Sequence, residues 1–268
     1  TATQTRSQDS RDQDGNAEQR DIDLIDAEFT SETIRGLRVA AVTNEDMNFA
    51  PIGVAGGAVG VAGVVATTVT NSTTEALVKQ NATINGGDNS AANAAQSVDV
   101  IAASESQLNN ISSGIGIGGV GVTFDIDTQV FKKNVRSKML GSATAANDVT
   151  VTADSRDRVL QTAVGIAGGA AGAAGIVEVS VIDDDVIAEI GDDAVVRAGD
   201  DVTVASVQNL SVVQTAGNVT GGGAGIGASL GVLVAKSSNK ARIGARADVH
   251  AVDDLLVSAD TDTSFNQN

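Results

Sequence analysis

Residues 164–204 read VGIAGGAAGAAGIVEVSVIDDDVIAEIGDDAVVRAGDDVTV, and their reading decides the fold. A glycine/alanine run is followed by alternating valines, an acidic turn and a short strand motif, IGDDAVVRAGDDVTV. Moving 53 residues along the chain returns the same order: Gln161 becomes Gln214, Gly168-Gly169 becomes Gly221-Gly222, Val179 and Val181 become Val232 and Val234, and Ile190-Gly191 becomes Ile243-Gly244. Self-similarity at a fixed period is the signature of a repeat architecture.

Working outward, a V-x-V marker opens each copy, at Leu37/Val39, Val98/Val100, Val149/Val151, Val202/Val204 and Leu255/Val257, so successive markers stand 61, 51, 53 and 53 residues apart. Alternation over so short a span predicts a strand with one buried face. Each marker is followed by a glycine-rich run with a Gly-Gly pair, at Gly56-Gly57, Gly118-Gly119, Gly168-Gly169 and Gly221-Gly222. A pair at one fixed place predicts a bulge, corner or turn where backbone meets backbone. The spacing of Gly53, Gly56, Gly57, Gly60 and Gly63 also fits one helix face, the pattern of a membrane glycine zipper. Five glycines in one helix each cost roughly 1 kcal/mol relative to alanine, and the flanks alternate with period two, so strands are expected.

Composition narrows the architecture. The 268 residues contain no Trp, Tyr or Cys, one Pro, five Phe and 30 Gly, while 42% are hydrophobic. An interior without large aromatics is narrow and built in thin layers. The expected fold is all-β, an elongated parallel β-helix (β-solenoid) of about 53-residue repeats. Its units are 36–96, 97–147, 148–200 and 201–253, with a partial unit 254–268. The first unit's surplus reads as a surface loop. Residues 1–35 form a polar N-terminal segment, expected to cap the array or to supply an inter-subunit strand through TATQTRS. No apolar leader core opens the chain, so Thr1 is expected to be a boundary within a longer protein.

The net charge of −17 repels phosphate backbones and anionic lipid. Neither a nucleic-acid partner nor membrane insertion is expected. Lys132, Lys133, Arg136 and Lys138 in the second unit, Asp183 to Asp185 in the third, and Lys236, Lys240, Arg242 and Arg246 in the fourth alternate in sign, so neighbouring units are expected to attract.

In IGDDAVVRAGDDVTVAS, joined to a Gly/Ala run ending in alternating valines, residues 36–268 resemble the repeats of large secreted bacterial filamentous adhesins. The likeness is to the leukotoxin-type family, relatives of filamentous haemagglutinin-like exoproteins. The resemblance implies a β-solenoid, surface display and an adhesive or structural role, with no catalytic motif to carry over.

Candidate chemistry is sparse. His250 is the only histidine, which excludes a triad or a multi-histidine metal site within one chain. It reads as a solvent-facing strand residue. The carboxylates Asp183, Asp184, Asp185, Asp192, Asp193, Asp200 and Asp201 are the candidate calcium ligands, because calcium takes oxygens from carboxylates and turn carbonyls. Asp beside Gly is also an ordinary turn former. A polysaccharide-cleaving β-helix enzyme would want aromatic sugar platforms, so no enzyme is expected. The expectation is a structural or adhesive segment of an extracellular or cell-surface filament, pairing head-to-tail with itself or with further repeats and contacting a host-cell or matrix surface. A calcium-stabilised extracellular binding module is the alternative; a polysaccharide-acting enzyme or a membrane-inserting glycine-zipper protein ranks below both.

Overall fold

The computed structural model describes residues 2–8, 28–86 and 93–268, with side chains from residue 35 onward. Strand β1 (Ala2–Gln8) pairs antiparallel with β2 (Glu28–Ile34) in a separate two-stranded sheet. Residues 2–7 of TATQTRS are thus strand, and their partner is β2 of the same chain. In the stretch Asp21–Phe29 the apolar residues Ile22, Leu24, Ile25 and Phe29 also predict a strand, of which residues 21–27 lie outside the described residues.

The remaining strands recur in order. The first repeat holds β3 (Gly36–Phe49), β4 (Ile52–Val78) and β5 (Thr83–Ile84); the second holds β6 (Ser97–Met139) and β7 (Ser142–Ala145). The third holds β8 (Val149–Gly168), β9 (Ala171–Ile190) and β10 (Val195–Ala198); the fourth holds β11 (Val202–Gly221), β12 (Ala224–Ile243) and β13 (Asp248–His250); β14 (Leu255–Gln267) begins a fifth. Each full repeat is an outgoing leg, a return leg and, after a turn, a short strand; β6 runs through both legs without a break.

All pairing between repeats is parallel and in register. Leu37 pairs with Val98, Val98 with Val149, Val149 with Val202 and Val202 with Leu255, the same 61, 51, 53 and 53 residues that separate the sequence markers. The surplus of the first repeat falls between β5 and β6, where residues 87–92 lie outside the described residues. The long strands make one eight-stranded sheet doubled over on itself, and the short strands make a four-stranded sheet in the order β13-β10-β7-β5. No helix occurs among the described residues, so the glycine runs are strands and the zipper reading falls. Free edges at β3/β4 and at β12/β14 bound the doubled sheet, since β3 and β4 pair only with β6, β12 only with β9 and β14 only with β11.

The two legs face each other in opposite directions. Ser137 Oγ donates to the Val100 carbonyl at 2.7 Å, Lys133 Nζ to Ser106 Oγ at 3.0 Å and Asn110 Nδ2 to Asp127 Oδ1 at 2.8 Å. The space between them is banded. At the base, valines and alanines such as Val98, Val149, Val186, Val196 and Val202 form the main apolar cluster. Farther out, Leu108, Phe131, Val159, Ile182, Leu210 and Val212 form a second. Polar side chains fill the intervals, including Lys133, Asp157, Glu178, Asp184, Gln129 and Gln161, each under 5% exposed. An interior of small and β-branched residues alone is therefore corrected: nearly half of it is polar. Lys133, expected in a surface row, lies inside at 1% exposure.

Alternation explains the banding. In the distal part of the return leg Asp125, Asp127, Glu178 and Ser180 point inward, while Val120, Phe124, Val232 and Val234 point out and are more than a third exposed. This half is apolar outside and polar inside, the reverse of an ordinary half-buried strand.

The fold turns at its glycines. Gly57, Gly169 and Gly222 adopt φ of 140°, 149° and 129°, a region nearly closed to residues bearing a Cβ. Close stacking adds a second constraint: a Cβ on Gly169 would lie 2.0 Å from the Gly118 carbonyl oxygen, and one on Gly222 1.7 Å from that of Gly169.

The proportions differ from the elongated body expected. A 20-residue leg extends roughly 65 Å at about 3.3 Å per residue, whereas each repeat adds only about 4.8 Å in the pairing direction. The parallel strands, joined in a nearly closed sheet, are thus long relative to the number of repeats that stack.

Replacing Gly169 by Ala should lower the melting temperature sharply, at a cost on the order of 2–4 kcal/mol. Gly168→Ala, where an added Cβ meets nothing within 4 Å, should be near neutral. Equal melting curves for the two variants would refute the tip geometry.

Candidate functional site

The seven Asp residues proposed as calcium ligands occupy different surroundings. Alternation puts Asp183 and Asp185 on the outer face, where Lys236 lies 3.7 Å from Asp183 and Arg136 3.3 Å from Asp185. Asp184 points inward and accepts from Gln208 Nε2 at 2.6 Å. Asp192 accepts from the Ala245 N–H at 2.7 Å, and Asp193 is clamped by Arg246 at 2.7 and 2.8 Å. These five are engaged in ion pairs, turns or the interior.

Asp200 and Asp201 differ. At the corner between β10 and β11 their carboxylates and that of Asp253 come within 4.8 Å of one another. The register makes the corner a ladder: Asp148 Oδ1 accepts from the Asp201 N–H at 3.3 Å, and Asp201 Oδ1 from the Asp254 N–H at 2.9 Å. Asp200 is held above the usual carboxylate range, first by the charge of Asp201 and then by partial burial and by Asp148, Asp253 and Asp254. Concentrated negative charge at a turn is chemistry a hard cation could neutralise. Asp253 was legible as half of an Asp pair, but its approach to Asp200 follows only from the register.

Two internal belts were not foreseen. The proximal belt begins at Glu45, which accepts from Ser72 at 3.0 Å and Ser106 at 3.3 Å. Lys133 then bridges Ser106 and Asp157, and Ser155 donates to Asp157 at 2.9 Å. Beyond Asp184, Gln208 accepts from Ser237 at 2.6 Å. A buried pair such as Lys133–Asp157 gains little net stability, but loss of one partner strands the other charge. Asp157 is raised by burial against the opposing pull of Lys133, and Asp184 is pushed up to about 7 by burial and then by the charge of Asp157.

The distal belt is acidic. Asp125 and Asp127 are both raised by burial; Asn110 Nδ2 donates to Asp127 Oδ1, while neither oxygen of Asp125 has a hydrogen-bond partner among the described residues. Glu178 pairs in register with Asp127, and neither of its oxygens has a hydrogen-bond partner among the described residues. Burial, then the charges of Asp127 and Asp125, push it to about 8. A glutamine ladder closes the belt, Gln267 donating to Gln214 Oε1 at 2.8 Å.

His250 sits exposed on β13, as its alternation suggested.

The raised carboxyls set the sign of the pH dependence. Glu178 titrates near its ordinary 4.5 when unfolded and about 8 when folded. Between those values the native chain holds a proton that the unfolded chain has released, so stability falls as pH rises through the interval. Asp184 adds the same sign between 3.8 and about 7. Melting temperature should therefore rise on acidification from pH 8.5 to 5.5, by a few kcal/mol of stability, and Glu178→Gln should remove most of the upper part of that slope. A melting point that drops over this range would contradict the burial of these acids.

No family model, curated protein or solved structure matches this chain.

Proposed function

We propose that the chain is a parallel β-solenoid segment of an extracellular or cell-surface filament, with a structural and adhesive role and no catalysis. The observation that carries this reading is the in-register parallel pairing of every repeat with the next, whose free edges lie at β3/β4 and β12/β14. An unpaired edge is a template for another strand of the same register. Stacking further repeats, or head-to-tail pairing of copies, extends the array by heterologous contacts that do not close. The resemblance of residues 36–268 to filamentous adhesin repeats supports the same reading, and a host-cell or matrix surface is the proposed target.

A closed parallel barrel is the competing architecture. Excising residues 149–201, which joins Asp148 to Val202 at equivalent positions, separates the two. A solenoid one repeat shorter keeps its β-type circular dichroism and cooperative melting, whereas a barrel that loses two strands from its wall fails to close. Negative-stain images of the intact chain at rising concentration should show end-to-end growth. Particles of constant length would defeat the polymer.

The Asp200, Asp201 and Asp253 corner favours a second reading, a calcium-stabilised binding module. It predicts a higher melting temperature in millimolar calcium than in chelator, and loss of that difference in Asp200→Asn. Identical melts with and without calcium remove it.

A further inference from the structure

The return leg carries a wide apolar outer face. Across four adjacent strands the outward positions include Val61 and Val65 in β4, Phe124 in β6, Val179 in β9, and Ile226 and Leu230 in β12. Val65 is 73% exposed, Ile226 75% and Leu230 56%. The exposed apolar area is on the order of 1,000 Å², above the roughly 300–600 Å² usual for the largest patch on a monomer and close to one side of a standard protein interface. No charged side chain interrupts it; charges begin only nearer the base, with Glu75, Lys132, Asp183 and Lys236.

We propose that this face packs against the same face of a second copy, sheet on sheet, about a two-fold axis parallel to the strands and passing between the second and third repeats. Such an axis keeps tip on tip and places repeat one over repeat four and repeat two over repeat three. The register then fixes which side chains meet. Phe124 faces Gly175, Val65 faces Leu230 and Val61 faces Ile226, so the bulkiest side chain meets the smallest. Near the base Lys132 faces Asp183 and Glu75 faces Lys240: two opposite-charge matches and no like-charge clash. Self-complementarity of both shape and sign is what an isologous interface requires.

Lipid is the rival occupant for an apolar sheet. The edges of β4 and β12 run through the same apolar half and would leave backbone N–H and C=O groups unpaired in hydrocarbon, which open sheets do not tolerate. A second copy covers the face and leaves the edges in water. This pairing is lateral and does not depend on the filament reading.

Sedimentation velocity of the whole chain should show a dimer at micromolar concentration. Val65→Glu and Leu230→Lys, both at exposed positions, should each weaken it by about a hundredfold or more while leaving the melting temperature of the chain unchanged. Mixing the two variants should restore association, because each substituted position meets the other across the axis. Within one chain the two lie on opposite edges of the sheet. Val54→Glu, on the outer face of the outgoing leg and 72% exposed, should have no effect. A monomeric wild type, dimers that survive either substitution, or a mixture that stays monomeric would each overturn the proposal. So would a monomer that floats with neutral phosphatidylcholine vesicles, which would assign the face to lipid.

Discussion

Every feature of this chain depends on one constraint: parallel strands paired in register at a repeat of about fifty residues. Register makes each residue the neighbour of its own equivalents, about 4.8 Å above and below. Apolar positions stack into continuous ridges without difficulty. Charges do not, since like charges at that spacing repel. The outer face answers by alternating sign, so Arg242 meets Glu189 at 2.8 Å, Arg246 meets Asp193 at 2.7 Å and Arg38 meets Asp99 at 2.8 Å. Where such pairs stand in solvent, screening leaves them little weight in stability. Their larger effect is on register, because a slip of one residue sets every such pair wrong and turns each strand over.

Inside, the same constraint is met by other means. Glutamines stack on glutamines at 161, 214 and 267, where the amide both donates and accepts. Glu178, which has no cation beside it, is held protonated at neutral pH by burial and by its acidic neighbours. Lys133 is the exception, a buried ammonium whose partner Asp157 comes from the next repeat. The interior is thereby specific as well as packed, since polar groups such as Lys133, Asp157 and Gln214 find their partners at one level of the array.

Much of this was legible because repetition writes itself into sequence. The V-x-V markers gave the offsets, and the Gly-Gly pairs gave the tip, where positive φ at Gly57, Gly169 and Gly222 admits little else. What was not legible was the facing of the return leg. In IVEVSVI the ordinary rule buries valine and exposes Glu178 and Ser180. The structure does the reverse, because the turn at Gly168–Ala170 sets the parity of the strand that follows and no residue within that strand announces it. For the same reason Asp184 could not be told from Asp183 and Asp185, one inside and two out, and the closeness of Asp253 to Asp200 required the register between repeats. Lys133, read among surface charges, required the facing of two legs joined by a distant turn.

The breadth of each level has a mechanical meaning. Neighbouring repeats are held by two 20-residue legs, so tension applied along the stacking direction loads both ladders of backbone hydrogen bonds at once. Tension applied to a single strand end instead opens them one after another. A body built in this way is tough against traction between its two faces and weak against peeling at a corner, and the direction of load decides whether it holds or unravels.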